Sequence, residues 1–128
     1  MAELSDHAEC KILNTLRNVA WTAFAAYVAL FTTATTDAGG GTEVSGGSYA
    51  RQFVGLSEAT GAGGSISNAA DIVFPTATAD WGTVTHIAIM DAATLGNMIM
   101  HSPLDASKAI ATGDTFKMNA GELKVTLA

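Results

Sequence analysis

The sequence predicts a mainly β protein: an antiparallel β-sandwich or small barrel of about seven strands, with one N-terminal α-helix. Three observations carry that prediction. From Thr83 to Met90 bulk falls on both alternating faces, with Thr83, Thr85, Ile87 and Ile89 on one and Val84, His86, Ala88 and Met90 on the other. Such a strand suits burial between two layers better than exposure on one side. Thirteen glycines cluster in runs such as Gly39-Gly40-Gly41 and Gly61-Ala62-Gly63-Gly64, which punctuate the chain as turns do. Helical periodicity is confined to Ser5–Ala20. The hydrophobic share is 48%, but much of it is alanine, so the expected layers are thin and closely spaced.

The elements follow in order. Ser5 or Asp6 can cap the free amides of the helix, and Glu9 in its first turn suits the helix dipole. Ile12, Leu13, Leu16, Val19 and Ala20 make one apolar stripe, which either docks on the protein's own sheet or packs against a neighbouring subunit. Trp21 follows as either a core plug or an exposed anchor. Candidate strands are Ala26–Thr33, Ser48–Leu56, Ser67–Phe74, Thr83–Asp91, Asn97–His101, Thr115–Met118 and Glu122–Leu127. The Asp91–Gly96 and Asn119–Gly121 connections are short enough for hairpins. Tyr27, Phe31, Phe53, Phe74 and Phe116 lie in strand patterns and are expected in the core, with Trp81 closing its end. The long connection over 34–47 is either a free tip or a segment ordered by a neighbour; Asp37, Glu43 and Val44 are its larger groups. The expected organisation is an N-terminal helical arm over 1–24 and one β domain over 25–128.

Several functions are excluded on chemical grounds. Six Lys and Arg against twelve Asp and Glu leave a charge of −6, which repels phosphates and argues against a nucleic-acid partner. The apolar run Val19–Phe31 is shorter than the ~20 residues of a membrane-spanning helix, and Glu3, Asp6 and Glu9 stand where a signal peptide carries basic residues. No membrane partner is expected. The lone Cys10 excludes an internal disulfide. Neither glycine run is followed by the Lys-Ser/Thr of a phosphate-binding loop, and no serine sits in a Gly-x-Ser-x-Gly elbow. His86 and His101 lack tight ligand spacing to Asp71, Asp80 or Asp91, so each is expected to be structural. No catalytic residue, metal site or cofactor is therefore expected.

A resemblance adds to this reading. The stretch Phe74–Ala92, with Tyr27–Thr33, the loop Asp37–Arg51 and the late Gly113-Asp114-Thr115, resembles a family of small tailed-phage virion proteins described as tail-fibre-like or capsid cement (head decoration) proteins. The resemblance covers most of the chain in order. It implies a non-enzymatic virion structural protein, above all a capsid cement protein, with a tail or tail-fibre adaptor or tip as the alternative. It further implies a capsid-exterior location, host cytoplasm during assembly, and as partners the major capsid protein and copies of itself, as a homo-oligomer such as a trimer. The expected interface residues are Ile12, Leu13, Leu16, Trp21, Thr42, Glu43 and Val44. A different class, a carbohydrate-binding β-sandwich, would use Trp21 or Trp81 as a sugar platform.

Overall fold

A computed structural model describes residues 3–59 and 64–126. In chain order these form β1 (Glu3–Leu4), α1 (Asp6–Leu16), β2 (Tyr27–Phe31), β3 (Gln52–Phe53), β4 (Ser65–Ser67), β5 (Ile72–Val73), β6 (Gly82–Met90), β7 (Met98–Ile110), β8 (Lys117–Met118) and β9 (Lys124–Thr126). Gly61–Gly63 of the predicted turn and Leu127 of the last predicted strand lie outside the described residues.

One five-stranded antiparallel sheet, in the order β1-β7-β6-β2-β3, dominates the fold. Two short antiparallel ribbons, β4 with β9 and β5 with β8, build the second layer. The fold is mainly β and sandwich-like, as expected, and not a closed barrel. Alternation along β2 and β6 sorts side chains to opposite faces. Val28, Leu30, Ile87 and Ile89 enter the main core with Ile72, Phe74, Phe116, Met118, Leu123 and Val125; Val84, expected on the opposite face, joins them because the register shift between Val84 and His86 interrupts the alternation. Ala29, Phe31, Ala88 and Met90 form a smaller cluster with Met98. Ala29 stands opposite Ala88, so this second face is thin. Burial of β6 on both faces is therefore met.

An aromatic chain runs through one end of the core. Trp81 packs edge-on to Tyr49, Tyr49 stacks on Phe74, and Phe74 packs edge-on to Phe116, with centroids 5.4, 6.1 and 5.6 Å apart. Trp81 is buried, and its indole N–H donates to the Gly47 carbonyl at 2.9 Å. That close approach requires glycine: a Cβ at position 47 would lie 2.8 Å from Trp81 Nε1, and the residue sits at φ +56°.

Several sequence expectations are corrected. The helix stops at Leu16 and does not reach Ala20, because Asn18 adopts φ 64°. Its N–H donates to the Thr15 carbonyl and the Val19 N–H to the Asn14 carbonyl, a paired closure of the helix end that asparagine accommodates. β7 extends far past His101, through Pro103, which stands opposite His86 beside a register shift where its missing N–H is tolerated. The predicted strand Ser48–Leu56 shrinks to β3, since Gly46, Gly47 and Ser48 all turn at positive φ. Phe53 is exposed on the edge strand β3, with its ring 6.0 Å from that of Tyr27.

The Asn119–Gly121 turn does not make a hairpin of its flanking strands. The buried Asn68 explains why: it donates to the Ala70 and Asn119 carbonyls and accepts from the Leu123 N–H at 2.8, 3.0 and 2.9 Å. The chain over 65–73 thus pairs with the whole 117–126 segment and is broken at Asn68 into β4 and β5. The Asp91–Gly96 connection does join β6 and β7 as a hairpin, with Asp91 accepting from the Asn97 N–H at 2.7 Å.

The thin face generates a prediction. Ala88→Leu forces extra volume between β2, β6 and the chain above them, and is expected to cost about 1–3 kcal/mol. Urea unfolding should show a lower midpoint with an unchanged slope.

Candidate interaction surface

The residues singled out in the sequence fall into two groups with different fates. In α1, Ser5 caps the helix by accepting from the Ala8 N–H at 3.2 Å, and its hydroxyl donates to the Met98 carbonyl. The Ser5 N–H donates to the Ile99 carbonyl at 2.9 Å. Ser5 and Ala8 are buried, so the first turn is stitched to β7, and β1 extends the sheet beside it. Past that turn contact with the domain falls away. Ile12 is half-buried, whereas Leu13 is 60% and Leu16 83% exposed. Val19 and Phe24, not among the expected interface residues, are exposed as well. Trp21 is half-buried at the rim of the core, with its ring 5.5 Å from that of Phe24.

The 34–47 connection behaves oppositely. It turns back along β2: Glu43 bridges Phe31, the Thr32 N–H donates to the Thr42 carbonyl, and the Val44 N–H donates to the Leu30 carbonyl, both at 2.9 Å. Val44 is a core residue, and only Thr42 of the three loop residues is exposed. This loop is ordered by its own domain.

Glu43 anchors it. Arg51 donates from Nε and Nη2 to the two Glu43 oxygens at 2.8 Å each, and from Nη1 to the Ala92 and Leu95 carbonyls at 2.9 and 2.8 Å. One guanidinium thus ties the loop to the β6–β7 turn, using the planar fork that lysine lacks. The Tyr49 hydroxyl donates to Glu43 at 2.7 Å and accepts from the Leu30 N–H at 3.0 Å. Burial pushes the Glu43 carboxyl up, yet the bonds from Arg51 and Tyr49 outweigh it and hold its pKa below the ordinary value. Burial, and then the bond to Glu43, drive the Tyr49 hydroxyl far upward, so it stays protonated. Arg51 escaped sequence reasoning because an isolated arginine carries no spacing signal; its salt partner eight residues earlier is visible only once the loop folds back.

The histidines do not meet the acids considered for them. Asp71 accepts from the Ala120 N–H, Asp80 from the Thr112 N–H and Asp91 from the Asn97 N–H, each securing a turn. His86 bonds to the Thr85 hydroxyl. His101 instead faces Thr35, Asp37 and Glu3. Trp81, being buried, presents no sugar platform. No helix among the described residues is long and apolar enough to cross a membrane.

A family model described as podophage GP4 fiber I protein gp80 matches residues 3–126. The chain belongs to this family of tailed-phage virion structural proteins. No curated protein matches it. The match spans both the sheet and the exposed arm, so the arm is part of what the gp80 family model describes.

The Glu43–Arg51 pair makes a pH-dependent prediction. A carboxyl held below its ordinary 4.5 contributes stability that is complete above that pH and is lost as pH falls through the depressed value. Arg51→Met leaves a part-buried carboxylate without its cation and should cost on the order of 2–3 kcal/mol at pH 7. In urea titrations from pH 7 to pH 3, the gap between wild type and variant should narrow below about pH 4.5. A gap constant with pH contradicts the ion pair.

Proposed function

We propose that this chain is a non-enzymatic component of the phage fibre, holding its place through the apolar end of its N-terminal arm. The observation that carries this reading is the exposure of Leu13, Leu16, Val19 and Phe24 within one stretch, while the root of the same arm is stitched into the sheet. Grouped exposed hydrophobics, unlike the single exposed side chains of Phe53, Val73 and Leu95, mark association surfaces. Copies of the same chain are the first partners proposed, since repeated weak contacts add up in a symmetric particle. The family description supports a fibre position. A head-shell position, with the major capsid protein as partner and trimers as the unit, would use the same arm and is favoured by the −6 charge, which keeps the protein away from packaged DNA. Turn-capping acids and separated histidines support the absence of catalysis.

The test is a phage carrying Leu13→Ser together with Leu16→Ser. Both positions are exposed, so the isolated protein should lose no more than about 0.5 kcal/mol of stability. Its incorporation into purified particles should fall at least tenfold, and gold labelling of wild-type particles should decorate the tail. Incorporation equal to wild type contradicts the proposed role of the arm, and label spread over the head selects the cement reading.

A further inference from the structure

The geometry points to a divalent metal site formed by Glu3, Asp37 and His101, taking a first-row cation of the zinc type. The donors come from three separate segments: β1, the 34–47 loop and β7. Glu3 and His101 are direct cross-strand partners in the β1–β7 pair. The His101 Nε2 lies 2.8 Å from Asp37 Oδ1 and 4.0 Å from Glu3 Oε2. Two metal bonds of about 2.1 Å at a tetrahedral angle would separate their donors by about 3.4 Å, between these two distances. The three donor atoms all lie within 4.8 Å of one another. Changes of about 0.6 Å in the two histidine distances, and of up to about 1.4 Å between the two carboxylates, would therefore place all three around one ion.

Two further features favour a cation over a plain hydrogen bond. The His101 side chain is only 6% exposed, and its other nitrogen, Nδ1, lies 2.8 Å from the Thr35 hydroxyl. A partner on the far ring nitrogen is what orients a metal-binding imidazole, because it fixes which nitrogen faces the ion. Asp37 is also held in place, since its backbone carbonyl accepts from the Asp6 N–H at 2.8 Å. Among the described residues no Lys or Arg forms a salt bridge with Glu3 or Asp37, so two carboxylates face a single imidazole. Glu3 at 4.0 Å is too far for a hydrogen bond to that ring, and an ion between them would join the two. Nitrogen and carboxylate donors together suit zinc, cobalt or nickel better than magnesium or calcium. Three protein ligands leave a position open to water or to a donor from a neighbouring subunit. An ion here would clamp the root of the arm to both the loop and the sheet.

The test uses the full chain in a Cys10→Ser background, because Cys10 is exposed and a thiol binds zinc on its own. After treatment with a chelator and its removal, Zn²⁺ is titrated calorimetrically and Co²⁺ is followed by its visible absorption. Binding of about one ion per chain is expected, with the thermal midpoint rising on the order of 5–10 °C at 100-fold excess over Kd. Glu3→Gln, on an exposed side chain, should leave the metal-free midpoint unchanged and weaken binding at least tenfold, and His101→Gln should abolish it. If His101→Gln fails to fold, Glu3→Gln and Asp37→Asn decide. No binding at millimolar metal, binding unchanged in Glu3→Gln and Asp37→Asn, or binding that leaves the midpoint where it was would overturn the site.

Discussion

Burial of β6 on both faces sets the terms for everything around it. Ile87 and Ile89 belong to the main core, while Ala88 and Met90 belong to the smaller cluster behind the sheet. The ribbons β4–β9 and β5–β8 contribute their apolar residues to the first face. The 34–47 loop lies beside the second, where Gly41 approaches the Phe31 ring and Asp37 meets His101, the cross-strand partner of Ala88. Such chain has to satisfy its own polar groups, or burial costs more than it returns. The 34–47 loop does so through the Thr42 and Val44 backbone bonds to β2, the Arg51 fork on Glu43 and the Asp37–His101 contact.

How much of this could be read in the sequence follows from the range of the interactions. β2, β6, the β6–β7 hairpin and the Ser5 cap were legible because alternation, turn residues and capping act over a few positions. The length of β7 was not, since Ser102–Ala109 carry no apolar alternation; Ser102, Pro103, Lys108 and Ala109 are held by the ladder to β6, while Leu104–Ser107 lie in the register shift between them. The pairing of β8 and β9 with β5 and β4 depends on Asn68, whose partners lie some fifty positions away. The end of α1 was legible in principle: Asn18 is a residue type that tolerates a left-handed cap. Among the candidate interface residues, Leu13 and Leu16 are exposed on the arm, whereas Val44 is core and Glu43 is tied to Arg51. An apolar residue in a glycine-rich loop gives no local sign of whether it faces inward or outward.

The contrast between loop and arm gives the fold its functional sense. Both were candidates for contacts beyond the domain. The loop has partners for its backbone and for Glu43, and it shields a sheet face. The arm is anchored at Ser5 and Ala8, then presents Leu13 and Leu16 with no cover from the domain. Membership of the gp80 family associates this arrangement with a virion.

Amide hydrogen exchange on the free protein and on protein within purified particles tests this division most directly. Opening of the loop should require opening of the sheet, so the Thr32 and Val44 amides should exchange in the free protein as slowly as those of β2. Amides of Trp21–Ala25, free of ladder bonds, should exchange rapidly in the free protein and slow at least tenfold in the particle. Fast exchange at Thr32 and Val44 in the free protein, or an arm no better protected after assembly, would contradict the account.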